Sequence, residues 1–222
     1  LPEGIDQRSA CRHPDWTGPD DLEIKIAEIR EITNWEKPIY VKVGACRPYY
    51  DLSLAVKAGA DVVVLDGLQG GTAATQEVFI EHVGLPILAA IRPAVQALQD
   101  LGMHRKVQLI VSGGIRTGAD VAKALALGAD AVALGTAALI ALGDQSPSLA
   151  AEYAKLGSEP GAYDDWQDGR DPAGITTQDP ELAARLDPIL GGRRIANYLS
   201  VMTMEAQTIA RACGKNHLHN LE

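Results

Sequence analysis

The sequence is poor in cysteine, in long apolar runs and in basic charge. Its three cysteines, Cys11, Cys46 and Cys213, stand far apart with no CxxC pair. This usage argues against a disulfide framework and a cysteine-based metal motif, and it favours a reducing compartment, the cytoplasm. No apolar run reaches about 18 residues, so no membrane span is predicted. The net charge of −9 argues against nucleic acid and anionic membrane surfaces as partners.

What the sequence does contain is a regular alternation of apolar runs and helix-like segments. The composition, 46% hydrophobic and 22% charged, is that of a globular α/β protein with a sizeable core. Each apolar run is continuous, as expected of strands buried on both faces of a parallel sheet. Strand-like runs are predicted to begin near Ile39, Asp61, Pro86, Val107 and Ala131. Helix-like segments are predicted at about 20–33, 51–58, 74–83, 93–102 and 117–127.

This repetition predicts a fold of successive βα units. Such units build a (β/α)8 TIM-type barrel or an open doubly wound sheet, and their uniform length favours the barrel. Five units do not close a barrel, so we expect the remaining strands upstream in a longer protein. We assign residues 1–142 to the C-terminal part of such a barrel. Residues 143–192 form a long irregular excursion of the same domain, and 193–222 a C-terminal helix and tail.

Glycine-rich turns end the last two predicted strands. Ser112, Gly113 and Gly114 follow one run, and Gly135 and Thr136 follow the next. The loops after the last strands of a barrel commonly bind phosphate, because glycine leaves backbone N–H groups open to an anion at the start of a helix. The simpler interpretation is that these glycines only allow tight turns. Two such turns in succession favour a phosphate site.

Two other predicted strand ends carry candidate site residues. Lys42 lies inside the apolar run YVKVG, where a lysine is costly to bury without a partner. It is either an ordinary lysine whose ammonium reaches solvent or, near a strand end beside a phosphate-bearing ligand, a functional residue, and we favour the second interpretation. The next run ends in a glycine-rich loop that is able to approach a flat ring. Its candidate residues are Asp66, Gln69, Gly70, Gly71 and Thr72.

Two arginines are candidate ligands for a substrate carboxylate, because a guanidinium group presents a planar fork of donors. Arg47 follows the first predicted strand, and Arg92 follows the third. No metal site is predicted, since a histidine pair such as His217 and His219 near the end of the sequence is typical of solvated side chains.

Taken together, these segments resemble the flavin-binding synthase domain of the glutamate synthase family. The resemblance covers most of the chain, and its most specific segments are the loop QGGTAAT and the stretches GTAALIALG and ITTQDPEL. The motifs that carry it are VKVG (41–44), QGGTAAT (69–75), SGGIRTGAD (112–120), GTAALIALG (135–143) and ITTQDPEL (175–182).

The resemblance implies FMN as the cofactor. Its phosphate would lie at 112–114 and 135–136, and the loop 70–72 would flank the ring, with Gln69 beside it as a further cofactor ligand. Lys42, as the catalytic and cofactor-binding residue, would lie near the pyrimidine side of the ring, where a cation stabilises the reduced flavin. In the family, reduced flavin gives a hydride to an imine made from 2-oxoglutarate and ammonia, which forms glutamate. Partners implied in the same way are the small-molecule substrates and other subunits of a hetero-oligomeric complex, glutaminase-like or other.

The sequence departs from the family between the GTAALIALG and ITTQDPEL segments. Glutamate synthases place three cysteines there for an iron–sulfur cluster, whereas residues 144–173 contain none. Because such clusters are held by thiolates, no cluster is expected in this segment. This pattern resembles the glutamate-synthase-like subunit of N-methylglutamate synthase, the methylamine–glutamate N-methyltransferase, which exchanges methylamine for the amino group of glutamate.

Several functions stay open on the sequence alone. The leading interpretation is an FMN enzyme of glutamate and 2-oxoglutarate imine chemistry, leaning to methylamine–glutamate transfer, with glutamate synthase itself as the alternative. A different phosphate-binding barrel, such as an inosinate dehydrogenase or a 2-hydroxy-acid oxidase, is disfavoured. The first needs a cysteine where the chain has Thr72, and the second needs a base histidine that His82, on a helix face, does not supply. A non-catalytic barrel subunit is the remaining candidate.

Overall fold

The structure, a computed structural model, describes residues 13–70, 77–156 and 170–222. Helices separate the strands, with two helices between the second and third strands, and helical segments follow the last strand. In chain order the elements are α1 (Pro19–Ile32), β1 (Tyr40–Gly44), α2 (Pro48–Lys57), β2 (Val62–Asp66), α3 (Glu77–His82), α4 (Ile87–Asp100), β3 (Gln108–Ser112), α5 (Gly118–Ala126), β4 (Ala131–Ala133), α6 (Thr136–Leu142), α7 (Ala150–Leu156), α8 (Pro180–Ala183) and α9 (Pro188–Ala212), with short 3-10 segments at Pro147–Leu149 and Leu218–Asn220.

The strands form one parallel sheet in the order β1-β2-β3-β4. Sequential order with parallel pairing is the arrangement that successive βα units produce, because each helix returns the chain to the same edge of the sheet. The structure thus confirms the α/β class and the parallel sheet. The strands begin within one residue of the predicted starts near 39, 61, 107 and 131.

The two faces of this sheet differ in burial. Val63, Leu65, Leu109 and Val111 are fully buried on the face that packs against α2 and α4. The opposite face carries Lys42, whose side chain is exposed. The first face is the centre of the hydrophobic core, and the second leaves the polar side chains of the strands accessible.

The prediction of a strand at the run PILAAI is wrong: Pro86 is the N-cap of α4, and the residues after it form the first turn of that helix. A short continuous apolar run is compatible with a buried strand and with a buried helix, and periodicity alone does not separate them. The later residues of α4 decide the matter, because apolar positions recur at helical spacing in Ile87, Ile91, Val95 and Leu98, each 1% exposed or less. The described residues therefore contain four βα strands rather than five.

A repeated Gly-Ala-Asp segment begins β2 and β4. Gly59 and Gly128 end the preceding helices with φ of 101° and 107°, a conformation that glycine adopts without strain. The carboxylate of Asp61 then accepts the backbone N–H of Ile39 at 2.7 Å. In the same way, Asp130 accepts the N–H of Leu109 at 2.8 Å. Both aspartates tie neighbouring strands at the amino edge of the sheet.

The long helix α9 closes the described structure by packing against α5 and α6. It begins at Pro188, ahead of the predicted boundary at residue 193, because Asp187 caps it by accepting the N–H groups of Ile189 and Leu190. Met202 and Ala206 are buried in this contact. Among the described residues, no helix is both long and apolar enough to span a membrane.

Candidate functional site

The carboxyl ends of the strands lie in register along one edge of the sheet. Gly44, Asp66, Ser112 and Ala133 are successive pairing partners across β1 to β4. Partners in a parallel ladder point to the same face, so side chains at these positions, and at Lys42 two residues earlier in β1, share the accessible face. The chain therefore gathers residues from four separate segments at one edge.

A polar network of three side chains joins β1, β2 and β3 at this edge. The ammonium of Lys42 lies 2.9 Å from Oδ2 of Asp66. The hydroxyl of Ser112 donates to the other oxygen, Oδ1, at 2.6 Å, the length of a charge-assisted hydrogen bond. A lysine in an apolar run is costly to bury without a partner. The structure supplies the partner, Asp66, while leaving the lysine side chain 62% exposed.

Glycines at this edge allow close contacts between loops. A Cβ on Gly113, whose φ is 99°, would lie 3.1 Å from the backbone of Gly67. A Cβ on Gly70 would overlap the carboxylate of Asp66. The loops after β2 and β3 thus pack backbone against backbone, and only glycine fits these two positions without displacing the network.

Backbone N–H groups at the ends of β3 and β4 are free to bind an anion. Within the described part of the chain, the amides of Gly113, Gly114, Gly135 and Thr136 donate to no protein acceptor. A Cβ on Gly135 would meet nothing within 4 Å, so open space lies beside this turn. The two predicted turns therefore lie at adjacent strand ends with unpaired donors, as a phosphate site requires.

The start of α5 does not contribute to such a site as the sequence suggested. Asp120 accepts the N–H groups of Arg116 and Thr117, and Glu205 accepts that of Gly118 at 2.7 Å. These carboxylates accept the N–H groups that the start of a helix would otherwise offer to a phosphate. Their negative charge would also repel a phosphate placed there. An anion at this edge would depend on the glycine amides instead.

Residues of α9 that no local pattern indicated hold the loop after β3 in place. Besides Glu205, Tyr198 donates from its hydroxyl to the carbonyl oxygen of Arg116 at 2.6 Å. A Cβ on Gly118 would overlap the backbone of Met202, so α5 and α9 touch at this point. These contacts join positions more than 80 residues apart, and sequence periodicity carries no signal for such pairs.

The loop after β2 is only partly described. Gln69, a predicted cofactor ligand, accepts the N–H of Ile87 at 3.1 Å and lies against Gly114. Its carbonyl oxygen is therefore occupied at the start of α4. Gly71 and Thr72 lie outside the described residues.

The two predicted arginines are placed differently. Arg47 directly follows β1 as the N-cap of α2, and its side chain is 69% exposed while it contacts Asp51 at 2.9 Å. Arg92 lies within α4 and donates to the carbonyl oxygen of Leu127, at the end of α5. Because PILAAI is helical, Arg92 does not follow a strand, and its predicted position at the carboxyl edge is wrong.

A second buried polar cluster lies outside this edge. The hydroxyl of Tyr153 lies 2.8 Å from Asp144 and 3.0 Å from Asp171. Burial acts to raise the pKa of Asp171, but the backbone N–H groups of Thr176, Ala173 and Ile175 outweigh burial and hold this pKa below its ordinary value. Burial, followed by the Asp144 carboxylate, raises the pKa of Tyr153. The cluster anchors the described end of the excursion.

Comparison with known proteins decides the family. The family model for the conserved region in glutamate synthase matches residues 1–149 and 168–216. The chain belongs to the glutamate synthase family. Over all 222 residues, this glutamate synthase family chain is 82% identical to the glutamate synthase large subunit-like protein of Rhizobium meliloti. It is 40% identical to the archaeal glutamate synthase (NADPH) of Methanocaldococcus jannaschii. The chain spans 50% and 40% of these two relatives.

Solved structures show the fold of this glutamate synthase family chain. A mutant flavocytochrome b2 with pyruvate bound matches 96% of the chain, with a TM-score of 0.59 and 20% identity, over 38% of its own length. A lactate oxidase of Pediococcus acidilactici matches 93% of the chain, with a TM-score of 0.55 and 19% identity, over 39% of its own length. These matches agree with the predicted α/β, TIM-type fold. In the described residues, no group of three or more acidic, histidine or cysteine side chains is arranged to hold a metal ion.

Proposed function

We propose that this chain is the cofactor-binding part of an FMN-dependent enzyme of glutamate and 2-oxoglutarate imine chemistry. The observation that carries the proposal is the set of free amides at Gly113, Gly114, Gly135 and Thr136, on the same edge as Lys42. Membership of the glutamate synthase family supports it. FMN, when bound, would supply two-electron hydride chemistry.

The residues present fit such a group. Neighbouring strands lie about 4.8 Å apart, so β1 and β4 are separated by roughly 14 Å along the edge. A phosphate at Gly113 and Gly135 would leave the chain and ring of the cofactor to extend toward β1. There Lys42 would place its ammonium beside the ring, where a cation favours negative charge. The open space beside Gly135 would accept the phosphate without displacing a side chain.

Arg47 is the proposed ligand for a substrate carboxylate. It lies directly after β1, its guanidinium is largely exposed, and it is held on one side by Asp51. A planar guanidinium forms paired hydrogen bonds to a carboxylate. Glutamate and 2-oxoglutarate both carry such groups, and a fixed orientation of the substrate toward the edge would follow.

Within this chemistry we favour methylamine–glutamate transfer over reductive amination. Residues 144–173 hold no cysteine, so this segment has no thiolate for an iron–sulfur cluster. An exchange of one amine for another requires no net reductant, since the hydride that leaves glutamate returns to the new imine. Glutamate synthase chemistry would require electrons to reach the flavin by another route.

The visible spectrum of the native protein tests the cofactor. We expect flavin absorption bands, with release of FMN on denaturation. The reaction is tested next by incubating the flavin-loaded protein with glutamate and methylamine and measuring ammonia release without added reductant. Glutamate formation from 2-oxoglutarate and ammonia, dependent on a stoichiometric reductant, would favour the alternative. A colourless protein that does not take up FMN would overturn the proposal in favour of a non-catalytic subunit.

A matched pair of glycine variants tests the phosphate position. A Cβ at Gly135 or at Gly192 would meet nothing within 4 Å, but only Gly135 lies at the carboxyl edge. Gly135→Val is expected to reduce FMN affinity by at least tenfold, measured by flavin fluorescence on titration. Gly192→Val is expected to keep the affinity of the wild type. Equal affinities in both variants would contradict the phosphate position.

A further inference from the structure

We infer that Asp66 is a positioning residue that sets the charge presented by Lys42 at the ring-binding edge and thereby lowers the reduction potential of the bound flavin. The inference rests on the proposed function, because it requires FMN at this edge. Its basis is the network in which one carboxylate contacts the lysine of β1 and the serine of β3.

The geometry commits both carboxylate oxygens of Asp66. Oδ2 faces the ammonium of Lys42 at 2.9 Å, and Oδ1 accepts the hydroxyl of Ser112 at 2.6 Å. The glycine at position 70 lies directly against the carboxylate, where any larger residue would overlap it. Three segments thus hold one acidic side chain in a fixed orientation.

The ion pair has little value for folding. The Lys42 side chain is 62% exposed and that of Asp66 is 22% exposed, and pairs in contact with solvent contribute little to stability. Asp61 and Asp130, by contrast, tie backbone N–H groups of neighbouring strands. Within the described residues, the carboxylate of Asp66 contacts side chains only, on the accessible face, which favours a role at the site.

The sign of the effect follows from charge. A lone ammonium beside the ring would stabilise the reduced, anionic flavin and raise the potential. A carboxylate 2.9 Å from that ammonium offsets part of its field. The hydroxyl of Ser112 in turn offsets part of the carboxylate charge by donating to Oδ1. Loss of the carboxylate and loss of the hydroxyl should therefore shift the potential in opposite directions.

The test is a spectroscopic redox titration of the native protein, purified with FMN. Asp66→Asn is expected to favour reduced over oxidised flavin by about tenfold, an upward shift of about 30 mV for a two-electron couple. Ser112→Ala is expected to shift the potential downward, which lowers the ratio of reduced to oxidised flavin by less than tenfold. Asp66→Glu, which keeps the charge, should restore most of the wild-type value.

The control is Asp61→Asn, which removes one carboxylate at the other end of β2, roughly 17 Å away along the strand. Its potential should equal that of the wild type. An unchanged potential in Asp66→Asn with flavin bound overturns this inference and leaves the proposed function standing. If Asp66→Asn does not retain flavin, Ser112→Ala decides, and an unchanged or raised potential there overturns the inference. A wild-type protein without flavin overturns the proposed function itself.

Discussion

The two edges of the sheet use the same residue type in opposite ways. At the amino edge, Asp61 and Asp130 accept backbone N–H groups of the neighbouring strand, and Arg30 and Arg105 contact them from outside. At the carboxyl edge, the carboxylate of Asp66 contacts the side chains of Lys42 and Ser112. Within the described residues, the amides of Gly113 and Gly114 beyond it stay unpaired.

This difference separates stability from binding. A carboxylate that satisfies a strand N–H removes the cost of an unpaired donor, which stabilises the fold. Unpaired donors at an open edge lower stability slightly, but they are the groups that an anionic ligand requires. Variants at the two edges should therefore fall into two classes, with large changes in stability at one edge and large changes in flavin binding at the other.

The largest effect on stability is expected from Asp130→Ala. The change leaves the N–H of Leu109 and the guanidinium of Arg105 without this partner, at a cost of about 2–3 kcal/mol in the free energy of unfolding. Urea denaturation followed by circular dichroism measures it. Flavin affinity measured in the folded range should not change. A variant as stable as the wild type would show that the amino edge does not have the proposed role.

Gly113→Ala should have a smaller effect on stability, and it should also lower flavin affinity, so it belongs to both classes of variant. The residue has a φ of 99°, and the new Cβ would lie 3.1 Å from the Gly67 backbone, so a cost of about 1–2 kcal/mol is expected. Because the loop amide at this position would shift, FMN affinity should fall as well. The control is Gly102→Ala, since Gly102 has a φ of 65° and open space around it. This variant should lose stability through backbone strain and keep the FMN affinity of the wild type.

Asp171 should make the stability of the excursion depend on pH. Its folded pKa is held below its ordinary value by backbone N–H donors. The ionised form is therefore favoured by folding, and the stabilisation is present at neutral pH. It is lost as pH falls through the unfolded pKa of about 3.9 and then through the folded value.

Hydrogen exchange of the Ile175 and Thr176 amides between pH 7 and pH 3 measures this loss. The comparison variant is Asp171→Asn, which should show weaker protection at pH 7 and a flatter dependence on pH. Protection in the wild type that stays constant to pH 3 would contradict the expectation.

The smallest effect on stability is expected from Lys42→Met. The pair with Asp66 is largely exposed on the lysine side, so the free energy of unfolding should change by less than about 0.5 kcal/mol. The flavin should nevertheless become harder to reduce, because the cation beside the ring is lost. A large loss of stability without a change in reduction potential would show that Lys42 serves the fold, as the amino-edge aspartates do. The two edges would then not differ in function.

Much of the candidate site follows from local sequence. The apolar runs of β1 to β4 and the glycines at 113, 114 and 135 are local signals, because strand burial and turn geometry depend on neighbouring residues. The same holds for the repeated Gly-Ala-Asp segments, which end one helix and begin the next strand. They were available in the sequence as a signal for the amino edge.

Other features could not be read from short segments. PILAAI was expected as a strand, and only the helical spacing of the longer segment up to Leu98 identifies it as the start of α4. Because of this error, Arg92 was expected at the carboxyl edge of the sheet, whereas it lies within α4. The pairing of Asp66 with Lys42 and Ser112 requires the register of three strands.

The sequence by itself therefore determined the parallel α/β arrangement, the glycine turns and the family to which the chain belongs, since these rest on periodicity and motifs along the chain. The tertiary structure alone decided which donors are free. Asp120 and Glu205 accept the N–H groups at the start of α5, while the amides of Gly113 and Gly135 have no acceptor in the part of the chain that the structure describes. The physical reason is that hydrogen-bond partners are assigned by proximity in space, and residues as far apart as Gly118 and Glu205 become neighbours only in the folded chain.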